Sequence, residues 1–88
     1  RRPVLVLSRE SAIRHLRTVI VAPITSTVRG LPSEVPLGVD DGLKGPCAVN
    51  LDHVQIVRQV DLQRFVTTLG ADTMTAVCRA LAIAVGCG

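Results

Sequence analysis

The apolar residues of this chain fall into short unbroken runs over its first two thirds and take up helical spacing only near its end. Residues 3–8 (PVLVLS) form a short apolar run, partly β-branched, and predict a buried strand. Residues 9–17 are mixed and polar, compatible with a loop or one helical turn capped by Ser8 or Ser11. Residues 18–25 (TVIVAPIT) predict a second strand; Pro23, lacking an N–H, belongs at an edge or where pairing ends. Residues 30–36 (GLPSEVP) predict a turn and a brief strand, and the Gly- and Asp-rich residues 38–46 a loop. Residues 47–50 and 54–57 are short strand candidates around an Asn-Leu-Asp-His bend. Residues 60–65 predict a turn of helix and residues 66–69 a last strand. In the closing segment Met74, Val77, Cys78, Leu81 and Val85 follow helical spacing, with Asp72 as the expected N-cap and Gly86 as the C-cap.

Short strands followed by one amphipathic helix predict a mainly β fold: a small, partly open β-barrel with a C-terminal α-helix packed on it. Eighty-eight residues make a single small domain. Its core has to be aliphatic, since Phe65 is the one aromatic residue. So small a core gains from burial at an oligomer interface. Cys47, Cys78 and Cys87 are odd in number and lack a CxxC spacing, so they make no disulfide framework. Buried thiols at Cys47 and Cys78 and a reducing, cytoplasmic setting are the expectation. No 18-residue apolar run is present for a membrane span, and no membrane association is expected.

Charge changes the picture more than composition does. The net charge is +3, yet residues 1–29 carry six arginines against Glu10 alone, while residues 30–88 carry four bases and six acids. A basic N-terminal third points to an anionic partner, nucleic acid or an acidic peptide, with a solvated surface as the ordinary alternative. His15 and His53 are far apart and belong to no metal-ligand cluster, and Asp40 and Asp41 lack the alternating ligands of a calcium loop. No metal and no cofactor is expected, and Asp40 and Asp41 are read as turn residues. GxSxG, SxxK and Walker A motifs are absent. With a single Phe, base stacking on an aromatic platform is excluded too.

What remains is arginine with hydroxyls: Thr25, Ser26, Thr27 and Arg29 follow the second strand, and Arg2 precedes the first. RNA is cut without a metal when its 2′-hydroxyl attacks the neighbouring phosphorus. The protein then has to stabilise the phosphorane, assist deprotonation and protonate the leaving 5′-oxygen. A planar guanidinium beside hydroxyl donors suits the first task.

The stretches RRPVLVLS, TVIVAPITSTVRGLPSEVPL and DGL..PCAVNLDHVQIV, in that order, resemble the MazF/PemK toxins of type II toxin–antitoxin systems. The resemblance covers essentially the whole chain, with RPVLV and VAPITST..RGLPSEV as its specific parts. It implies an SH3-like barrel, a homodimer, and metal-independent, sequence-specific cleavage of single-stranded RNA, with an acidic MazE-like antitoxin occupying the RNA groove. It places the family's catalytic Arg at Arg2, stabilising the phosphorane or donating the proton, and its catalytic Thr at Thr25, holding a phosphate oxygen. Ser26, Thr27 and Arg29 become RNA-contact residues. Arginine is a poor general base, so His53 and Glu34 are candidate helpers, although a structural role is the ordinary expectation for each. Family members begin with a strand of the type RGDVYWADL and a glycine-rich loop. This sequence opens on Arg1-Arg2-Pro3, and residues 1–88 are expected to be one MazF-like domain lacking that segment. A CcdB-like toxin of the same fold, which binds and poisons a partner such as DNA gyrase, is the alternative; it relies on a C-terminal aromatic, and residues 84–88 read AVGCG.

Overall fold

The computed structural model describes residues 3–8, 13, 15–62 and 67–86. Five antiparallel strands, β1 (Val4–Val6), β2 (Thr18–Thr25), β3 (Glu34–Leu37), β4 (Cys47–Asn50) and β5 (Gln55–Arg58), are followed by one helix, α1 (Ala71–Ala84). β2 is the spine of the sheet. One edge pairs with β1, from Val4 opposite Pro23 to Val6 opposite Val21. The other edge is shared: residues 18–21 pair with β5, and Ile24 and Thr25 pair with β4. β4 carries β3 on its far side. Among the described residues the sheet does not close, as expected for a partly open barrel. No helix among them is long and apolar enough to cross a membrane.

Pro23 sits where the second edge of β2 changes partner. Leu7 donates to the Ile20 carbonyl and Ile24 donates to the Pro3 carbonyl, so the even-numbered residues of β2 turn their backbone groups to β1. The backbone nitrogen of Pro23 therefore faces the other edge, in the gap between β5 and β4, where no ladder bond is lost.

The core lies between the sheet and α1. Ala22, Ile24, Val35, Leu37, Val49 and Leu51 meet Val77 and Ala80 of the helix, with Leu5, Leu43, Leu69, Met74 and Leu81 packed around them. Every buried member is aliphatic or Ala, as the composition requires, and Cys47 also packs against the margin. β1 is only half-buried, less than its apolar run predicts.

Several local expectations change. Residues 67–69 form no strand. They are held by packing: Leu69 joins the core, and the Thr67 side chain lies against Gly42. Gly42 has φ +89°, and a Cβ there would lie 2.6 Å from the Thr67 hydroxyl oxygen, so this turn needs glycine. Of the helical turn expected over 60–65, the structure shows a single 3₁₀ turn at Gln59–Asp61, and residues 63–66 lie outside the described residues. The N-cap of α1 is Gly70, with Asp72 inside the first turn, where a carboxylate complements the helix dipole. Val85 is the C-cap, and Gly86 follows with φ +76°. Asp41 accepts the Gly38 N–H at 3.0 Å, the turn role expected of it.

The thiols also differ from expectation. Cys78 is exposed on α1 and Cys47 is half-buried. Helical spacing put Cys78 next to Val77, but one residue is a 100° step around the helix, enough to leave the core face. Burial, and secondarily the nearby Asp41 carboxylate, push the Cys47 thiol above its ordinary range. Alkylation at pH 8 followed by peptide mapping should therefore label Cys78 well before Cys47. A group whose pKa rises on folding stabilises the fold below its unfolded pKa, and that contribution is lost as pH rises through the folded value. Ionisation of Cys47 thus works against the fold only on the alkaline side.

Candidate active site

A cleft of about 360 Å³ opens where β2 leaves the sheet. Its walls include Thr25, Thr27, Arg29, Glu34, Asn50, His53 and Gln55. These residues come from four places in the sequence, and strand register brings them together. Thr25 ends β2 opposite Ala48, Glu34 begins β3 opposite Asn50, and Gln55 begins β5 opposite Val21.

After Thr25 the chain leaves the core and runs exposed over residues 26–32. The Thr25 hydroxyl oxygen accepts the Thr27 N–H at 3.0 Å, a local side-chain turn that starts the loop. At the far end the Glu34 carboxylate accepts from the backbone N–H of Arg29 at 3.0 Å and of Gly30 at 3.1 Å. Glu34 is only 8% exposed. Thr25, Thr27 and Arg29 alternate along the chain and line the cleft together. Ser26, exposed between them, is not part of its walls.

The opposite wall is a 3₁₀ turn, Leu51–His53, between β4 and β5. The Asn50 side chain caps it by accepting the Asp52 N–H at 2.9 Å, and Leu51 anchors it in the core. Ser33, a buried polar residue, donates its hydroxyl to the Asp52 carboxylate, and Leu51 N–H donates to the Ser33 carbonyl at 3.0 Å. Two turns are thereby locked together, and exposed His53 is held at the cleft. His15 is exposed and is not among the lining residues.

The cleft thus combines hydroxyls, a guanidinium, an amide pair and an imidazole, a set suited to holding an anionic polar ligand by hydrogen bonds. Arg2, the expected partner of Thr25, lies outside the described residues, as do Arg1, Arg9 and Arg14, which carry most of the N-terminal charge. The described residues do show β1 paired with this end of β2: Ile24, next to Thr25, donates to the carbonyl of Pro3 at 3.0 Å. Asn50 and Gln55 were not anticipated. Their only signal in the sequence is a polar residue at each rim of the β4–β5 bend.

Residues 1–85 match the sequence model of the PemK-like, MazF-like toxins of type II toxin–antitoxin systems. The probable endoribonuclease MazF5 of Mycobacterium tuberculosis is 48% identical over 88 residues, which is 99% of this chain and 81% of that protein. Among solved structures, the Mycobacterium tuberculosis toxin MazF-mt6 superposes with a TM-score of 0.94 at 42% identity, covering 99% of this chain and 88% of that one. A mycobacterial endoribonuclease in complex with its cognate antitoxin superposes at 0.89 with 30% identity, covering 99% and 82%. Family match, full-length identity and superposition agree with the strand order and the polar cleft, and the chain belongs to the PemK-like, MazF-like toxin family.

Proposed function

We propose that this protein is the toxin of a type II toxin–antitoxin pair, an endoribonuclease that cuts single-stranded RNA in the Thr25 cleft without a metal. The observation that carries the location is the convergence of Thr25, Thr27 and Arg29 with Asn50, His53 and Gln55 around one opening. The relatives named above, endoribonucleases with one bound to its antitoxin, support the activity and the pairing.

In the reaction the 2′-hydroxyl of the substrate gives up its proton to solvent, its oxygen attacks the adjacent phosphorus, and the P–O5′ bond breaks as the 5′-oxygen takes a proton. The products are a 2′,3′-cyclic phosphate and a free 5′-hydroxyl. The Thr25 hydroxyl donates to a non-bridging phosphate oxygen. Arg2, adjacent to Pro3 in the chain, stabilises the phosphorane or donates the proton taken by the 5′-oxygen. Arg29 and Thr27 hold flanking phosphates from the cleft wall, and Ser26 contacts RNA from the exposed loop. The protein acts in the cytoplasm as a homodimer, and an acidic antitoxin segment competes with RNA for the same cleft.

Incubation with single-stranded RNA in excess EDTA tests this reading. Cleavage that persists in EDTA, leaves cyclic phosphate ends and stops when the scissile 2′-hydroxyl is replaced by hydrogen is the expected result. Cleavage abolished by EDTA, or insensitive to that replacement, contradicts it.

A further inference from the structure

Among the described residues the cleft wall contains one carboxylate, and its geometry assigns it a task other than chemistry. Glu34 is the first residue of β3 and is 8% exposed. Val35 and Leu37 of the same strand enter the core, while the Glu34 side chain lies under the loop that follows Thr25. A single oxygen, Oε1, accepts both the Arg29 and the Gly30 N–H. Two consecutive N–H groups reach one acceptor only where the chain turns sharply, and Gly30 supplies that turn with φ +70°. Burying a carboxylate is costly unless it is hydrogen-bonded, and these two charge-assisted bonds compensate for it.

The loop these bonds hold carries two lining side chains of the cleft, Thr27 and Arg29, and begins directly after a third, Thr25. Residues 26–30 belong to no strand or helix and are exposed. Their restraints are the Thr25 hydroxyl at the start and the Glu34 carboxylate at the end. Arg29 is fixed at its own backbone nitrogen, so Glu34 determines where that guanidinium begins its reach.

We propose that Glu34 is a positioning residue for RNA cleavage: its carboxylate sets the loop backbone so that Thr25, Thr27 and Arg29 meet the substrate in register. The proposal rests on the reading of this cleft as the RNA-cleaving site. A displacement of about 1 Å in such a wall costs on the order of 10²-fold in rate.

The test compares the unaltered protein with Glu34→Ala and Glu34→Gln, using kcat/KM on single-stranded RNA, thermal unfolding, and amide hydrogen exchange at Arg29 and Gly30. Alanine should lower kcat/KM about 10- to 100-fold and speed exchange at both amides. Glutamine keeps an oxygen that accepts the same two N–H bonds, so it should restore activity to within a few-fold and protect both amides. Full activity in Glu34→Ala overturns the proposal. So does a Glu34→Gln variant that protects both amides yet is as impaired as alanine, because the carboxylate would then be acting in proton transfer. If the alanine variant does not fold, the glutamine variant and the exchange of the unaltered protein decide: unprotected Arg29 and Gly30 amides overturn it. An unaltered protein that cuts no RNA would instead refute the functional reading, a separate outcome.

Discussion

Thr25→Val is expected to lower kcat for RNA cleavage by about 10²- to 10³-fold, the usual loss when one donor to a developing oxyanion is removed. Valine has nearly the same shape as threonine and the same branching at Cβ, so it keeps the strand preference of the last position of β2. What disappears is the hydroxyl, which has two functions. It accepts the Thr27 N–H at 3.0 Å, and in the proposed reaction it donates to the scissile phosphate. The first loss falls at an exposed backbone group that water satisfies, at a cost of about 1 kcal/mol or less. Stability should therefore barely change while activity collapses. Thr25→Ser keeps the hydroxyl and should retain most of the rate. A Thr25→Val protein with unchanged kcat places the chemistry elsewhere.

Leu51→Ala should give the largest loss of stability of any single truncation in the core. Leu51 is 2% exposed and stands first among the fully buried side chains by volume. It plugs the core from the turn between β4 and β5, a turn that packs on both β2 and α1. Removing three carbons from so enclosed a site costs about 3 kcal/mol, within the range for buried Leu→Ala changes. In a domain of this length that corresponds to a melting temperature lower by roughly 12–24 °C. Val39→Ala, at a position 70% exposed, should change stability by less than about 0.5 kcal/mol. Both are compared at one protein concentration, because association adds to apparent stability. Leu51 also anchors the turn that carries His53, so loss of cleavage is expected to accompany the melting shift.

The outline of the fold was legible where local pattern and tertiary packing agree. β2 and β4 begin and end where their apolar runs do, and Pro23 marks the change of partner along β2. Pattern failed where packing decides alone. Residues 66–69 have strand-like composition, yet Thr67–Leu69 is fixed by contacts with Gly42 and the core and not by a ladder. The expected cap Asp72 lies within the helix because Gly70 already provides the extended residue before it.

The cleft was half legible. Thr25, Thr27 and Arg29 are neighbours in sequence, and their hydroxyl and guanidinium chemistry is visible there. The other wall depends on register: Glu34 meets Asn50 across β3 and β4, and no local pattern encodes a pairing 16 positions apart. Residue type alone makes Glu34 a candidate helper in proton transfer. Its bonds to two backbone N–H groups are a tertiary fact that only the folded loop reveals.

The central claim, that RNA is held and cut in the cleft at the end of β2, is tested most directly by nuclear magnetic resonance titration. The ligand is an oligonucleotide carrying the cleaved motif with 2′-deoxyribose at the scissile position, which binds without being cut. The account predicts chemical-shift changes concentrated at Thr25, Thr27, Arg29, Asn50, His53 and Gln55, weakened by Thr25→Val. Changes confined to the outer face of α1, with these residues unmoved, would contradict it.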